Sequence, residues 1–390
     1  MSYIILTALI ALFFFLFLPT FGAFMVRRHW RDFRKKIIDA SFYPILSYKP
    51  AHSPKNTFLG YFRFFGSIQA IQDDNTLWIA NKRLSVTIDL DNVTVYQLPA
   101  MAYTSEQAKF PDEPIQIMES KHIGALPQGT QVMIFGPLFM DRRLGVFRSD
   151  SKSSPSILLY EGAEKTILRR TIWGGRHKNE YWNNFTPGSI IAGIIALLTL
   201  GYTLYQNHSL FFPSVFAFAA ALLPLAPFLP PGIFLFYLYL LCWRRARYFR
   251  GERDLFLLPL RYLERGPDPL NDKRAKLPTG ELYCSKEYAT LDEALENVPN
   301  GFIHHFPLKN KNGKTRYIGF GVTDAACKEK LLEPNDPMVE SVIIPGDPVV
   351  LSKACVKQAK IRENLSGIAF LLGIIINFFI LYLVFYSLLR

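Results

Sequence analysis

The chain has 390 residues, a net charge of +12 and an apolar fraction of 50%. Its mean hydropathy of +0.13 is high for a soluble protein and low for a chain built of membrane spans alone. This composition predicts a few spans joined to substantial soluble domains. The four cysteines are too sparse for a disulfide framework or a CxxC metal knuckle, which predicts reduced, structural thiols.

Four apolar stretches are candidates for membrane spans, because a bilayer core requires about 20 apolar residues in a helix. Residues 3–26 are followed directly by Arg27 and Arg28, which predicts an uncleaved anchor, since a signal peptide carries its charge before the apolar run. Residues 189–205 form a second uncharged run. Residues 210–242 form a third, which prolines interrupt and which we expect to break near Pro230 and Pro231. Residues 365–389 form the last one.

Clusters of Lys and Arg flank all four stretches and predict their orientation, because positive residues stay on the cytoplasmic side. With four spans, every cluster falls on one side of the membrane. Both soluble regions are then cytoplasmic, and we expect the protein in a plasma or inner membrane. The residues assigned to orientation are Arg27, Arg28, Arg31, Arg169, Arg170, Arg244, Arg245, Arg247, Lys360 and Arg362.

The predicted fold class is therefore a membrane protein with α-helical spans and two β-rich cytoplasmic domains, each a small barrel or sandwich with some helix. The predicted boundaries are an anchor at 1–26, a β-rich domain at 27–185, a membrane hairpin at 186–243, a second α+β domain at 244–364 and a C-terminal span at 365–390.

The first soluble region alternates runs of aromatic and β-branched residues with turn residues, a pattern typical of short strands. We expect strands at 58–71, 76–80, 84–90, 93–98, 114–119, 131–138, 144–148 and 156–160. A loop or short helix is expected at 101–113, and a helix at 162–170 leads to the second span.

The second soluble region contains a predicted helix at 288–298, where Thr290 and Glu293 form a capping box. Residues 302–308 and 316–322 predict a hairpin, a short helix follows at 324–332, and strands follow at 339–344 and 348–351. Both regions run from a span through a β-rich domain to a closing span. This shared plan indicates a duplication, with convergent composition of membrane-flanking segments as the alternative.

Residues 123–138 (IGALPQGTQVMIFGPL), a strand at 157–160, a basic helix and a span follow one another in the first half. This succession resembles the end of the membrane-adjacent (BAM) domain of GIDE-type membrane-anchored ubiquitin ligases. The resemblance implies a β-rich domain held beside a membrane between two spans. The RING finger of that family requires closely spaced Cys and His ligands, which this sequence lacks, so ligase activity is not implied.

The sequence contains no recognisable catalytic or cofactor-binding constellation, and we expect no enzymatic activity, no cofactor and no metal. His304 and His305 are adjacent on a predicted strand and so face opposite ways. Nucleic acid is not expected as a partner, because span ends explain the basic clusters. Transport is disfavoured because the spans lack acidic residues and carry only Asn377 and a few hydroxyls, whereas substrate or proton pathways usually need ionisable groups within the membrane.

The expected function is a scaffold that recruits protein partners at the membrane surface. The expected partners are membrane lipids and proteins bound at the cytoplasmic domains, captured by strand addition at exposed edges of 58–71 or 316–322. Self-association is left open. The alternatives are a transporter or channel-like component that uses the Pro-broken span, or a divergent membrane-interface enzyme that uses His29, His122 or His177.

Overall fold

The computed structural model describes residues 2–47, 57–72, 75–99, 114–141, 144–151, 153–176, 181–264, 274–304, 316–323 and 330–390. The chain divides into two compact units. Unit 1 comprises Met1–Asp32, Asn179–Arg250 and Cys355–Arg390, and unit 2 comprises Phe33–Lys178 and Gly251–Ala354. The predicted loop at 101–113, most of the predicted helix at 324–332 and Cys327 lie outside the described residues.

The described helices are mostly long and apolar. They are α1 (Ser2–Leu12), α2 (Leu18–Ala40), α3 (Ile167–Gly174), α4 (Phe185–Tyr205), α5 (Phe211–Ala221), α6 (Gly232–Glu264), α7 (Leu291–Asn297) and α8 (Pro348–Leu389). A π-helical stretch, Phe13–Phe17, joins α1 to α2.

Antiparallel helix pairs build unit 1. Asn183, just before α4, donates from Nδ2 to the Pro19 carbonyl of α2 over 3.0 Å. Arg250 of α6 donates to Glu363 of α8 from Nε and Nη2, over 3.0 and 2.8 Å. These contacts bring the basic residues of α2, α6 and α8 to the same end of unit 1 as the start of α4. The rings of Tyr181 and Trp243 lie 6.4 Å apart at this end.

Among the residues that the structure describes, three helical segments are long and apolar enough to cross a membrane: Ser2–Ala40, Phe185–Tyr205 and Pro348–Leu389. The remaining apolar stretch is divided between α5, a 3₁₀ segment at Leu223–Phe228 and the first turns of α6. Pro230 and Pro231 lie in this interruption and share a cis peptide bond. A shorter apolar helix, His208–Ala221, is thus found where the sequence predicts the first part of the third span.

In unit 2, the first soluble region forms an eight-stranded sheet with a closed barrel, as the β-rich prediction requires. The strands are β1 (Thr57–Gln72), β2 (Thr76–Ala80), β3 (Ser85–Asp89), β4 (Thr94–Gln97), β5 (Gln116–Met118), β6 (Gln131–Asp141), β7 (Leu144–Phe147) and β8 (Ser156–Leu159). Their order is β1-β2-β3-β7-β6-β8-β4-β5, and β1 also pairs with β6. Five strands therefore close a ring, with β3 and β7 parallel.

Strand β1 closes the barrel by changing partner along its length. Residues 57–67 of β1 pair with β6, and residues 67–72 pair with β2. Gly66 lies at the change, and a Cβ there would approach the Ala80 carbonyl oxygen to 2.7 Å. The absence of a side chain thus permits the close backbone approach that closure needs. Phe64, Leu77 and Ile134 fill the interior and are fully buried.

The second soluble region forms a smaller sheet in the same unit. Its strands are β9 (Arg274–Lys276), β10 (Leu282–Tyr288), β11 (Phe302–Ile303), β12 (Tyr317–Thr323), β13 (Leu331–Leu332) and β14 (Val342–Pro345). The order is β11-β14-β12-β10-β9, and β13 also pairs with β12. The N-cap of α7 is confirmed: Thr290 Oγ1 accepts from the Glu293 amide over 3.2 Å. Glu293 Oε2 accepts from the amide of Ala289, one residue before the cap, over 2.9 Å, instead of from Thr290 as a capping box requires.

The structure corrects three sequence-based expectations. Strands β11 and β12 do not form a hairpin, because β14 lies between them. Residues 348–351 are not a strand but the first turn of α8. Asp347 Oδ1 accepts from the Val349 amide over 2.8 Å, and Pro348 has no amide hydrogen that would need an acceptor. Strand β12 is not an edge strand, because it pairs with β10 on one side and with β14 on the other.

Candidate functional site

An acidic segment between β13 and β14, residues 333–340 (EPNDPMVE), is the most unusual polar feature of unit 2. Its three acidic residues each contact a basic residue from the first soluble region. Lys165 Nζ lies 2.6 Å from Glu333 Oε1, Arg63 Nη2 pairs with Asp336 Oδ2, and Arg169 Nη2 lies 3.4 Å from Glu340 Oε1. We call residues 333–340 the acidic clasp. It joins the two sheets of unit 2 through charge.

The backbone conformation of the acidic clasp follows from its own sequence. Pro334 and Pro337 have no amide hydrogen and cannot extend the neighbouring ladders. Asp336 then makes an Asx-type turn, in which its Oδ1 accepts from the Met338 amide over 3.0 Å and its carbonyl accepts from Val339 over 3.1 Å. The turn leaves Oδ2 of Asp336 available to Arg63.

The central pair of the clasp is completely buried. The side chains of Arg63 and Asp336 are both 0% exposed. Arg63 is held in β1 by backbone bonds, since its amide donates to Pro44 over 3.1 Å and its carbonyl accepts from Leu46 over 2.9 Å. Among the described residues, Arg63 Nε and Nη1 have no acceptor, so Asp336 is the residue that compensates this buried charge. Removing one member of such a pair is costly because the other charge stays buried and unpaired.

A second buried group surrounds Glu340. The Arg169 guanidinium carbon lies 3.7 Å from the centroid of the Phe302 ring, an arrangement that favours the cation. His304 Nδ1 lies 3.6 Å from Glu252 Oε2, and the His304 ring lies 5.0 Å from Phe302. We call Arg169, Glu252, His304 and Glu340 the Glu340 cluster.

Burial controls the electrostatics of this cluster. Burial raises the pKa of Glu340 to about 7, against an opposing effect of Arg169. Burial also lowers the pKa of Arg169, which Glu340 and Glu252 partly offset. Desolvation thus disfavours the charged form of both partners, and Glu340 changes its protonation state close to neutral pH.

In unit 1, Asn377 of α8 meets the interruption between α5 and α6. Its Nδ2 donates to the carbonyls of Ala226 and Leu229 over 2.5 and 2.7 Å, and the residue is 1% exposed. In a continuous helix the Ala226 carbonyl would accept from residue 230, but Pro230 has no amide hydrogen. Asn377 therefore adds a donor at the interruption, beside the Leu229 amide, which donates to the Ala226 carbonyl over 3.3 Å. Gly232 makes this approach possible, because a Cβ there would collide with the Asn377 amide.

The basic residues assigned to orientation fall into two groups. Arg27, Arg28, Arg31, Arg244, Arg245 and Lys360 are exposed in unit 1, whereas Arg247 and Arg362 are partly buried. Arg169 and Arg170 are instead buried in unit 2, at 8% and 2% exposure. Arg170 donates to the carbonyls of Glu161 and Pro99, and Arg169 joins the Glu340 cluster. These two residues have a packing role that their place in the sequence did not indicate.

Sequence reasoning missed the acidic clasp and the Glu340 cluster. Arg63 and Asp336 are 273 positions apart, and no spacing pattern links them. The available signal was a lone arginine within the apolar run of β1 (TFLGYFRFFGSIQAIQ), since a charge on a buried strand requires a partner.

No group of three or more His, Cys, Asp or Glu residues with metal-binding geometry occurs in the described part of the chain. Cys242, Cys284 and Cys355 are buried. Comparison of the chain with models of protein families, with curated proteins and with solved structures finds no match.

Proposed function

We propose that the protein is an integral membrane scaffold that presents one charged, β-rich body, unit 2, to protein partners at the cytoplasmic surface. The observation that carries this proposal is the chemical contrast between the units. Unit 1 contributes helices whose apolar residues are exposed. Unit 2 contributes two sheets joined by the acidic clasp.

Exposed apolar surface supports the membrane part of the proposal. In the three candidate spans, only 17–28% of the most apolar window is buried. Ile195 of α4 and Leu383 of α8 are 60% and 63% exposed. Soluble proteins rarely leave large contiguous apolar surfaces in water, whereas lipid accommodates them. The resemblance of residues 123–138 to the BAM domain implies the same placement beside a membrane.

The clustering of basic residues supports a cytoplasmic unit 2. Arg27 and Arg28 of α2 and Arg244 and Arg245 of α6 lie at the same end of unit 1 as the Arg250–Glu363 contact. Positive residues at that end favour its retention on the cytoplasmic side. The loop at 206–210 then faces outward.

Four chain connections between the units support the scaffold role, because the chain passes from one unit to the other near residues 32, 178, 250 and 354. Several chain connections restrict the movement of unit 2, and confinement at a membrane surface raises the effective concentration of its partners. Of the described strands, β5 ends the larger sheet, and Ile117 on it is 45% exposed. Strand addition at β5 would use main-chain groups for affinity.

Thiol labelling in intact cells tests the topology. In a cysteine-free background, Gln206→Cys should react with an impermeant maleimide, whereas Lys82→Cys and Glu296→Cys should react only after permeabilisation. Both control sites in unit 2 are exposed, so failure to react from outside reflects sidedness. Labelling of Lys82→Cys from outside would refute the cytoplasmic placement.

Crosslinking of the full chain in mild detergent, followed by mass spectrometry, tests the scaffold role. We expect reproducible crosslinks from unit 2 to other proteins, and we expect Ile117→Lys to weaken them more than Leu295→Lys, a similarly exposed position on α7. Recovery of the protein alone, without partners on unit 2, would contradict the proposal.

The alternative is a transporter or channel-like component built on the interruption at 222–231. The observation that favours it is unwound backbone within an apolar helical unit, where transporters place their substrates. The carbonyls of Ala226 and Leu229, however, accept from Asn377 and are engaged. Replacing Pro230 and Pro231 by Leu should leave a scaffold active and should impair a transporter.

A further inference from the structure

A row of aromatic side chains follows one face of the first half of α6. The ring centroids of Phe236 and Tyr239 lie 5.7 Å apart and those of Tyr239 and Trp243 lie 6.2 Å apart, and both pairs are stacked. Residues three and four apart share a helix face, so Arg247 comes next in the row. Its guanidinium carbon lies 4.8 Å from the centroid of the Trp243 ring. We call these four residues the aromatic stripe, which ends in a cation.

Other elements of unit 1 lie beside the aromatic stripe without covering it. The ring centroid of Phe370, on α8, lies 5.1 Å from that of Tyr239. The ring centroid of Tyr181, which precedes α4, lies 6.4 Å from that of Trp243. All four residues of the stripe are only partly buried, and Tyr181 is 47% exposed. The stripe is therefore accessible, with α8 along it and the start of α4 near its cationic end.

The length of the aromatic stripe corresponds to one leaflet of a bilayer. Phe236 and Arg247 are eleven residues apart in a continuous helix, which rises about 1.5 Å per residue, so the stripe is about 16 Å long. Half of the hydrocarbon core of a bilayer is about 15 Å thick. Trp and Tyr concentrate at the membrane–water interface. With unit 1 in a membrane and Trp243 at that interface, Arg247 lies one turn further out, at the depth of the lipid phosphate groups.

The charge around the cationic end of the stripe indicates which lipids fit it. Residues 233–251 contain four arginines and no acidic residue. Glu363 of α8 compensates Arg250, with 2.8 Å between Oε2 and Nη2. The two other arginines, two and three positions before Arg247, are exposed. An excess of positive charge thus remains at this end, and basic pockets on the cytoplasmic side of helical membrane proteins bind anionic headgroups.

We propose that the aromatic stripe binds one anionic phospholipid of the cytoplasmic leaflet. Its phosphate contacts Arg247, and an acyl chain lies against the rings of Trp243 and Tyr239. A guanidinium can donate two parallel hydrogen bonds to a phosphate, and the rings offer an apolar surface to the chain. A zwitterionic lipid has the same phosphate, but its ammonium group would meet the excess positive charge. This inference rests on the proposed placement of unit 1 in a membrane.

Native mass spectrometry of the full chain in detergent micelles tests the lipid site. The probes are phosphatidylglycerol and phosphatidylcholine with identical acyl chains, added in competition. The wild type should retain one phosphatidylglycerol in preference to phosphatidylcholine. Arg247→Gln should lower this preference about fivefold, the effect expected for one basic residue near an anionic headgroup. Arg31→Gln removes the same charge from an exposed site on α2 and should leave the preference unchanged.

A second pair of variants tests the aromatic part of the site with every charge kept. Trp243→Leu removes the ring that holds Arg247 in place and should also lower the preference for phosphatidylglycerol. Tyr237→Leu, at a position on α6 that is 63% exposed and outside the stripe, should not. If Arg247→Gln does not accumulate, the wild type and this pair decide.

Three results would overturn the proposal. The first is equal retention of the two lipids by the wild type. The second is an equal loss of preference in Arg247→Gln and Arg31→Gln, because it would show diffuse attraction to the basic end of unit 1. The third is displacement of phosphatidylglycerol by excess inorganic phosphate, because it would show a site for a free anion.

Alkaline washing of isolated membranes separates the lipid site from the proposed function. We expect the full chain to stay in the membrane pellet. A protein that stays there without a lipid preference would contradict the lipid site alone. Release into the supernatant would contradict the membrane placement, and with it both the scaffold and the lipid site.

Discussion

The buried pair of Arg63 and Asp336 yields the sharpest stability prediction. Asp336→Asn removes the negative charge but keeps Oδ1, which accepts from the Met338 amide. The Arg63 charge, in a side chain that is 0% exposed, then has no counter-ion. Breaking a buried pair on one side costs about 3–5 kcal/mol. We therefore expect the unfolding equilibrium constant of unit 2 in Asp336→Asn to rise by a factor of about one hundred to a few thousand, at about tenfold per 1.4 kcal/mol.

A double-mutant cycle measures whether the charges of Arg63 and Asp336 compensate each other. Arg63→Met alone should also destabilise unit 2, because the Asp336 carboxylate stays buried without its partner. Arg63→Met combined with Asp336→Asn should be closer to the wild type than either single variant, since replacing both members of a buried pair is often neutral. The matched cycle on Lys165 and Glu333, which are 53% and 29% exposed, should show a coupling below about 1 kcal/mol.

Urea unfolding of the full chain in micelles, followed by tryptophan fluorescence and by exchange of barrel amides, measures these effects. Trp78 on β2 reports on the barrel. Strict additivity of the two single variants at the buried pair would refute the reasoning, because it would show that the two charges do not compensate each other.

Three further predictions concern single positions. Asn377→Leu removes two buried side-chain hydrogen bonds of unit 1, those to the Ala226 and Leu229 carbonyls, and should lower its melting temperature by several degrees, whereas Asn364→Leu, at an exposed site on the same helix, should not; equal melting temperatures would contradict the role of Asn377. Gly66→Ala places a methyl group against the Ala80 carbonyl and should destabilise the barrel by about 1–3 kcal/mol in urea unfolding, and wild-type stability would show that closure does not need glycine there. Thr290→Ala should cost about 1 kcal/mol of stability through loss of the α7 cap, and Thr290→Ser should restore most of it; a variant with alanine as stable as the wild type would show that the cap is energetically silent.

Local sequence was a good guide to the strands of the first soluble region. All eight predicted strands occur, and β2 has the predicted bounds, Thr76–Ala80. Alternating burial and turn residues are local properties, so neighbours along the chain suffice to recognise them. The same holds for α7, where Thr290 and Glu293 are three residues apart and the Thr290 hydroxyl accepts from the Glu293 amide.

Two predictions fail in the second soluble region. Residues 302–303 and 317–323 are close in sequence and look like a hairpin, yet β14 separates them. Residues 348–351 are β-branched and apolar, but the Asp347–Pro348 sequence starts a helix. In the first case both strands were recognised, but their pairing order depends on the whole sheet. In the second case the strand-like composition outweighed a helix-capping signal.

Composition and patterning by themselves determined that this protein has apolar helices, a β-rich region and basic residues grouped beside the helices. These are properties of single segments, which hydrophobic periodicity and turn chemistry specify locally. Tertiary structure alone decided that β1 closes a barrel, that Arg63 meets Asp336 and that Glu340 is buried beside Arg169. Charge pairs between residues hundreds of positions apart depend on which strands become neighbours, and desolvation depends on everything packed around them.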